Sequence, residues 1–187
     1  ARPATPSRAS APRAPGLACH FGLPLHAAED IKPDVDYHSF ANVSDFRVRH
    51  VDLDLDVNFD ARRLAGHADL TVERRKPSAR TLILDTRALT IRSVTLLPAQ
   101  SLQFRLGAAR DRMGQPLEIA LPDGADAKEF KVRIEYQTAP EASGLQWLTP
   151  AQTAGKKHPY LFSQSQAIHA RSWIPLQDSP QVRVTYN

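Results

Sequence analysis

From residue 51 the chain alternates apolar and polar side chains. Val51, Leu53, Leu55, Val57 and Phe59 are separated by Asp52, Asp54, Asp56 and Asn58. A period of two sends one set of side chains to a buried face and the other to water, which predicts a half-buried strand. After "DARR" at 60–63 the same period returns in Leu64, Gly66, Ala68, Leu70 and Val72, so the two runs are expected to form a hairpin. Shorter apolar runs follow at 82–84, 91–97, 102–106, 117–121 and 130–136, and a last one holds Val182, Val184 and Tyr186. Pro98, Gly107, Gly114, Pro116, Pro122 with Gly124, and Pro140 punctuate the gaps between them. Strong helical periodicity is absent. Many short strands at near-regular spacing predict an all-β fold, an antiparallel β-sandwich or a related open barrel, without the repeats of a solenoid or propeller.

Composition changes this picture mainly at the start of the chain. "ARPATPSRASAPRAP" at 1–15 is Ala, Pro, Arg and Ser, with almost nothing to bury. Such a segment does not recover its ordering entropy by folding. "GLACHFGLPLHAAED" follows, mildly apolar and ending in small residues. A basic start, an apolar middle and a small-residue end outline an export signal, here interrupted by His20 and Pro24. Residues 1–30 are therefore expected to be a leader, either disordered or a degenerate signal, and residues 31–187 the β domain. Export to the periplasm follows from the signal reading, and a cytoplasmic location from the other.

The net charge of +4 comes largely from that leader, which holds Arg2, Arg8 and Arg13 and no acid up to residue 28. Without those three arginines the net charge is +1, so the folded part carries no basic footprint for a nucleic acid. No stretch approaches the roughly 20 apolar residues of a membrane-spanning helix. The single cysteine, Cys19, excludes an internal disulfide and a multi-cysteine metal site.

Three patterns resemble active chemistry and fail on spacing. The alternate acids of "DLDLDVNFD" at 52–60 imitate a calcium loop, but Val57 and Arg63 stand where an EF-hand needs Gly and Glu. The seven histidines include no His-x-x-x-His pair with Glu, so no zinc site is expected in this chain. Ser163 or Ser165 with His169 and Asp178 contains the residue types of a nucleophilic triad. A nucleophilic serine, however, sits on a strained Gly-rich turn, and no Gly follows residue 155.

The same stretch is more informative as a whole. "GLQWLTPAQT", "HPYLFSQ" and "FSQSQAIHARSWIPLQDSP", within 143–187, resemble the leukotriene A4 hydrolase-like branch of the gluzincin zinc aminopeptidases, the aminopeptidase N group. "RRLAGHADLTVERR", "LILDTRALTI" and "EIALP" extend the resemblance upstream, to about residues 37–187. The resemblance implies a saddle-shaped all-β N-terminal domain, followed in the parent protein by a catalytic domain and a helical domain. It implies zinc as cofactor of the parent, with ligands in His-Glu-x-x-His plus a further Glu, and a Gly-x-Met-Glu-Asn exopeptidase loop. Neither motif occurs in these 187 residues. The chain is expected to be the N-terminal domain of a larger aminopeptidase, inactive alone, with an epoxide hydrolase side activity left open.

The resemblance also assigns site residues. Gln166, followed by Ala167, matches the position that holds the α-amino group of a peptide substrate, and Gln164 lines the same cleft. An amide oxygen accepts hydrogen bonds from an ammonium group, and the amide NH₂ donates to a carbonyl. That is positioning, and it requires neither a base nor a nucleophile. Arg171, Trp173, Pro175, Asp178 and Pro180 are expected to be structural, with Asp178 pairing with Arg171 or capping backbone N–H groups. Trp147 is expected in the core or at a domain interface. The expected partners are the N-terminus of a peptide substrate and the parent's own catalytic domain, the latter docking on an exposed apolar patch. Two other readings remain open: a stand-alone β-sandwich interaction module, and an adaptor that binds through its basic leader.

Overall fold

The computed structural model of the chain describes residues 36–187. The leader expected over 1–30 lies outside them. Strands β1 (Phe46–Asn58) and β2 (Arg63–Arg74) form the long hairpin that the alternation predicts. They join β4 (Thr90–Leu96), β5 (Gln100–Ser101), β8 (Glu129–Gln137) and β11 (Thr185–Tyr186) in a six-stranded sheet, ordered β11-β1-β2-β8-β4-β5. A second sheet has the order β3-β7-β6, from β3 (Thr81–Thr86), β6 (Phe104–Leu106) and β7 (Gln115–Ala120). The inner faces meet in one core: Leu70 and Ile134 of the larger sheet and Leu82, Leu84, Leu117 and Ile119 of the smaller are all 0% exposed. Two faces that alternate apolar-in and polar-out, packed together, make the predicted sandwich. Among the described residues, helix is confined to three single 3-10 turns.

The phase of β1 changes once along its length. Phe46 and Val48 are buried, and the next buried residue is Val51, three positions on. A register shift against β2 between Val48 and His50 absorbs the extra residue. This bulge keeps both halves of the strand facing the same core. Past Leu55 the alternation outruns the core, and Val57 and Phe59 are 46% and 38% exposed rather than buried.

Two expectations need correction, and one hairpin lies outside the strands expected. The run at 102–106 is not one strand: the chain crosses between sheets there, with Leu102 N–H donating to Val94 O and Ala120 N–H donating to Gln103 O. The last strand, β11, pairs with β1 in parallel, in an otherwise antiparallel sheet. A further hairpin, β9 (Leu145–Leu148) with β10 (Tyr160–Ser163), stands as a separate two-stranded sheet, with Tyr160 and Phe162 exposed.

β11 reaches only His50 and Val51 of β1, and the edge before them is closed by a side chain. Gln177, 2% exposed, accepts from Val48 N–H at 2.9 Å through Oε1 and donates from Nε2 to Phe46 O at 2.9 Å. Its primary amide thus substitutes for one residue of a strand. Gln177→Leu fills the volume but orphans two buried backbone groups, and should cost about 2 kcal/mol in denaturant unfolding. A variant with the wild-type midpoint would refute the role.

Candidate functional site

The stretch Gln164–His169 is a loop between β10 and a single 3-10 turn, Ala170–Ser172. Its first residue is fixed by the adjacent hairpin, where Gln164 N–H donates to Gly144 O at 2.9 Å. Ser165 Oγ accepts from Trp173 Nε1 at 3.2 Å, and Ser165 O accepts from His169 N–H at 2.9 Å, closing one tight turn. The buried Ser172 hydroxyl joins the two sides: it accepts from Gly144 N–H at 2.8 Å and donates to His169 O at 2.7 Å. Gly144 has no room for a side chain, since a Cβ there would lie 2.7 Å from His169 O and 2.8 Å from Trp173 Cδ1.

Gln164, Gln166 and Ala167 all sit on the exposed crest of this loop. They are brought together, but with different duties. Gln164 Oε1 accepts from Gln166 N–H at 3.0 Å, so its carbonyl shapes the loop and its NH₂ remains to donate outward. Among the described residues nothing engages the Gln166 side-chain amide. The Gln166–Ala167 peptide bond is cis.

The residues assigned structural roles lie beneath the loop. Arg171 is fully buried. Its Nε donates to Asp178 Oδ2 at 3.1 Å, Nη1 to Met113 O at 2.9 Å, and Nη2 to His38 O at 2.9 Å and Asp178 O at 2.8 Å. Asp178 Oδ2 also accepts from Arg171 N–H, so it both pairs and caps. The sequence reading missed Asp85, likewise 0% exposed, whose carboxylate lies 3.7 Å from Arg171 Nη1. Asp85 accepts from Phe40 N–H at 2.7 Å, Asp178 N–H at 3.0 Å and the Ser39 hydroxyl at 2.5 Å. Burial pushes the Asp85 carboxyl above its ordinary value, with Ser39, Arg171, Phe40 and Asp178 pulling the other way. Its signal was available: an acid directly after the apolar run 82–84.

No triad forms. Asp178 is occupied by Arg171, Ser165 Oγ by Trp173, and His169 Nδ1 lies 2.8 Å from Ser143 Oγ instead. Among the described residues no group of three or more His, Cys, Asp and Glu is placed to hold a metal ion, so these residues do not fit zinc. Trp147 is half-buried rather than in the core, meeting Phe59 edge-to-face with ring centroids 5.6 Å apart. The two rings flank a surface groove that includes Arg62, Pro150 and Pro159. No helix among the described residues is long and apolar enough to cross a membrane.

Residues 47–187 match the Peptidase M1 N-terminal domain family. The chain is 46% identical over 152 residues to leukotriene A-4 hydrolase of Xenopus laevis, an alignment covering 81% of this chain and 25% of that protein. To leucine aminopeptidase 2 of Neurospora crassa it is 40% identical over 160 residues, covering 84% of this chain and 24% of the other. The chain thus spans about a quarter of the length of the curated relatives it matches. Its fold superposes on yeast LTA4 hydrolase, solved in complex with bestatin, with a TM-score of 0.74, 32% identity, and coverage of 88% of this chain and 26% of that one. An M1 zinc metallopeptidase of Deinococcus radiodurans, at 22% identity and TM-score 0.55 over 76% of this chain and 31% of that one, shares the fold. The match over 47–187 and these identities place the chain in the Peptidase M1 N-terminal domain family, as a leukotriene A4 hydrolase-like member.

Proposed function

We propose that this chain is the substrate-cleft domain of a zinc aminopeptidase, and that Gln166 holds the free α-amino group of the peptide. The observation that carries the reading is the loop itself. It displays one unengaged primary amide on a crest whose backbone is fixed from Gly144, Trp173 and Ser172. With the backbone beneath it fixed, only the side chain has to be ordered when the amide binds an ammonium group, and the contact is converted into orientation. Holding the amino end fixes how far into the chain the peptide reaches, which is what distinguishes an exopeptidase. Gln164 donates its free NH₂ to a peptide carbonyl while its oxygen keeps the loop in shape.

Zinc, held by residues outside those described, supplies the polarising charge for hydrolysis in the parent protein. The described residues bind and orient the substrate, and alone they cleave nothing. The parent's catalytic domain covers exposed aromatic surface of this domain, such as Tyr160 and Phe162 at 56% and 45% exposure.

A hydrogen bond to a charged group is worth about 1.5–3 kcal/mol. Gln166→Ala in the full-length enzyme should therefore lower kcat/KM on an aminoacyl-arylamide roughly ten- to a hundredfold, with zinc content unchanged. Wild-type kinetics in that variant would remove the assignment.

A further inference from the structure

Arg87 leaves the turn after β3 and runs beneath the loop. Its Nη2 donates to Ser143 Oγ at 2.6 Å and to His169 Nδ1 at 2.9 Å, and lies 3.5 Å from Ile168 O. Its Nη1 donates to Arg112 O at 2.8 Å, and its backbone N–H donates to Arg171 O at 2.8 Å. Ser143 immediately precedes Gly144, the residue that fixes the loop's first position. Ile168 and His169 are the loop's last. One guanidinium therefore spans both ends of the loop and ties them to the turn before β7 through Arg112.

A guanidinium only donates, so His169 Nδ1 must accept, and the ring proton sits on Nε2. The imidazole is thereby set in one tautomer and one orientation, with the Ser143 hydroxyl beside it at 2.8 Å from the same nitrogen. Burial first, and then the like charge of Arg171, push the Arg87 guanidinium below its ordinary value. Its Nε is buried without a partner among the described residues. The surroundings disfavour a cation here, yet its terminal nitrogens make the contacts that close the loop.

We infer that Arg87 is a positioning residue for substrate recognition: by clipping Ser143 to Ile168 and His169 it holds the Gln166 amide where a peptide's α-amino group arrives. This rests on the proposed role of Gln166. The group does not touch substrate, and acts only through the loop.

The test uses the full-length enzyme and two competitive ligands, leucinamide and its des-amino analogue 4-methylpentanamide. Arg87→Met should raise the inhibition constant of leucinamide about tenfold, as a loosened positioning loop would, and that of the analogue, which keeps only the carbonyl that Gln164 addresses, by much less. In a Gln166→Ala background Arg87→Met should have no further effect on leucinamide, because the amide it positions is gone. Equal weakening of both ligands would show a purely structural role and overturn the inference. If Gln166→Ala weakens leucinamide and Arg87→Met does not, the inference fails while the role of Gln166 stands. If Gln166→Ala leaves leucinamide unchanged, both fall. Should Arg87→Met not fold, Arg87→Lys and Ser143→Ala interrupt the same clip, and the same ligand pair decides between the outcomes.

Discussion

Arg171→Met should destabilise the domain by about 3–5 kcal/mol, the range for removing one partner of a buried ion pair. The methionine retains much of the packing volume but none of the donors. Asp85 and Asp178 lose the buried cation between them, and the carbonyls of Met113, His38 and Asp178 lose their hydrogen bonds. Arg171→Lys restores a charge but not the planar fork that reaches several acceptors at once, so it should recover only part of the loss. Denaturant midpoints of the three proteins measure this order.

The pH dependence follows from Asp85. Burial places its folded pKa above its unfolded value, so its contribution to stability is full below the unfolded value and is lost as pH rises through the folded one. Removing the Arg171 guanidinium raises the folded value further, because an attractive charge is gone. The gap in stability between wild type and Arg171→Met should therefore be widest at neutral pH and narrow as acid protonates Asp85. A gap that widens toward acid would contradict this account of the cluster.

Gly144→Ala should reduce kcat/KM of the full-length enzyme about a hundredfold, the typical cost of displacing a positioning group by roughly 1 Å. The added methyl meets a backbone oxygen, His169 O, at 2.7 Å and the Trp173 ring at 2.8 Å. A backbone atom cannot rotate away as a flexible side chain can, so either the β9–β10 hairpin or the loop must move. Gly144 also supplies the carbonyl that receives Gln164 N–H and the N–H that reaches Ser172. Overpacking of this kind costs about 1–3 kcal/mol, so the assay belongs at a temperature where unfolding data show the variant fully folded. Wild-type turnover in a folded variant would show that the loop tolerates displacement.

The long strands were legible because their environment repeats every two residues. Even the bulge in β1 is written in the sequence, as buried positions 46 and 48 followed by 51 in place of 50. Period alone misled where the chain changes partners: 102–106 is apolar enough for a strand, but Leu102 bonds to one sheet and Gln103 to the other. The β9–β10 hairpin escaped because "LQWL" and "YLFS" are only four residues each and none of them is buried, so no inward face marks them. The parallel pairing of β11 depends on a partner far away in the chain, which local pattern does not encode. At the site, Arg171 with Asp178 was readable from charge and spacing. The role proposed for Gln166 came from the resemblance of the whole stretch, since an exposed glutamine has no signature of its own. Arg87 left no trace, because the partners of its guanidinium are a serine, a histidine and two backbone carbonyls, spread over three separate segments.

Gln177 meets Val48 and Phe46 across 129 and 131 residues, Arg171 meets His38 across 133, and Asp178 meets Asp85 across 93. These are the closures that seal the edge of the first strand and neutralise the buried acids. As the ribosome delivers the chain in order, the earliest strands emerge long before the side chains that finish them. The domain therefore cannot lock piece by piece. Until Gln177 and the strand at 185–186 have emerged, the first strand keeps an open edge, the kind of feature that recruits chaperones or aggregates.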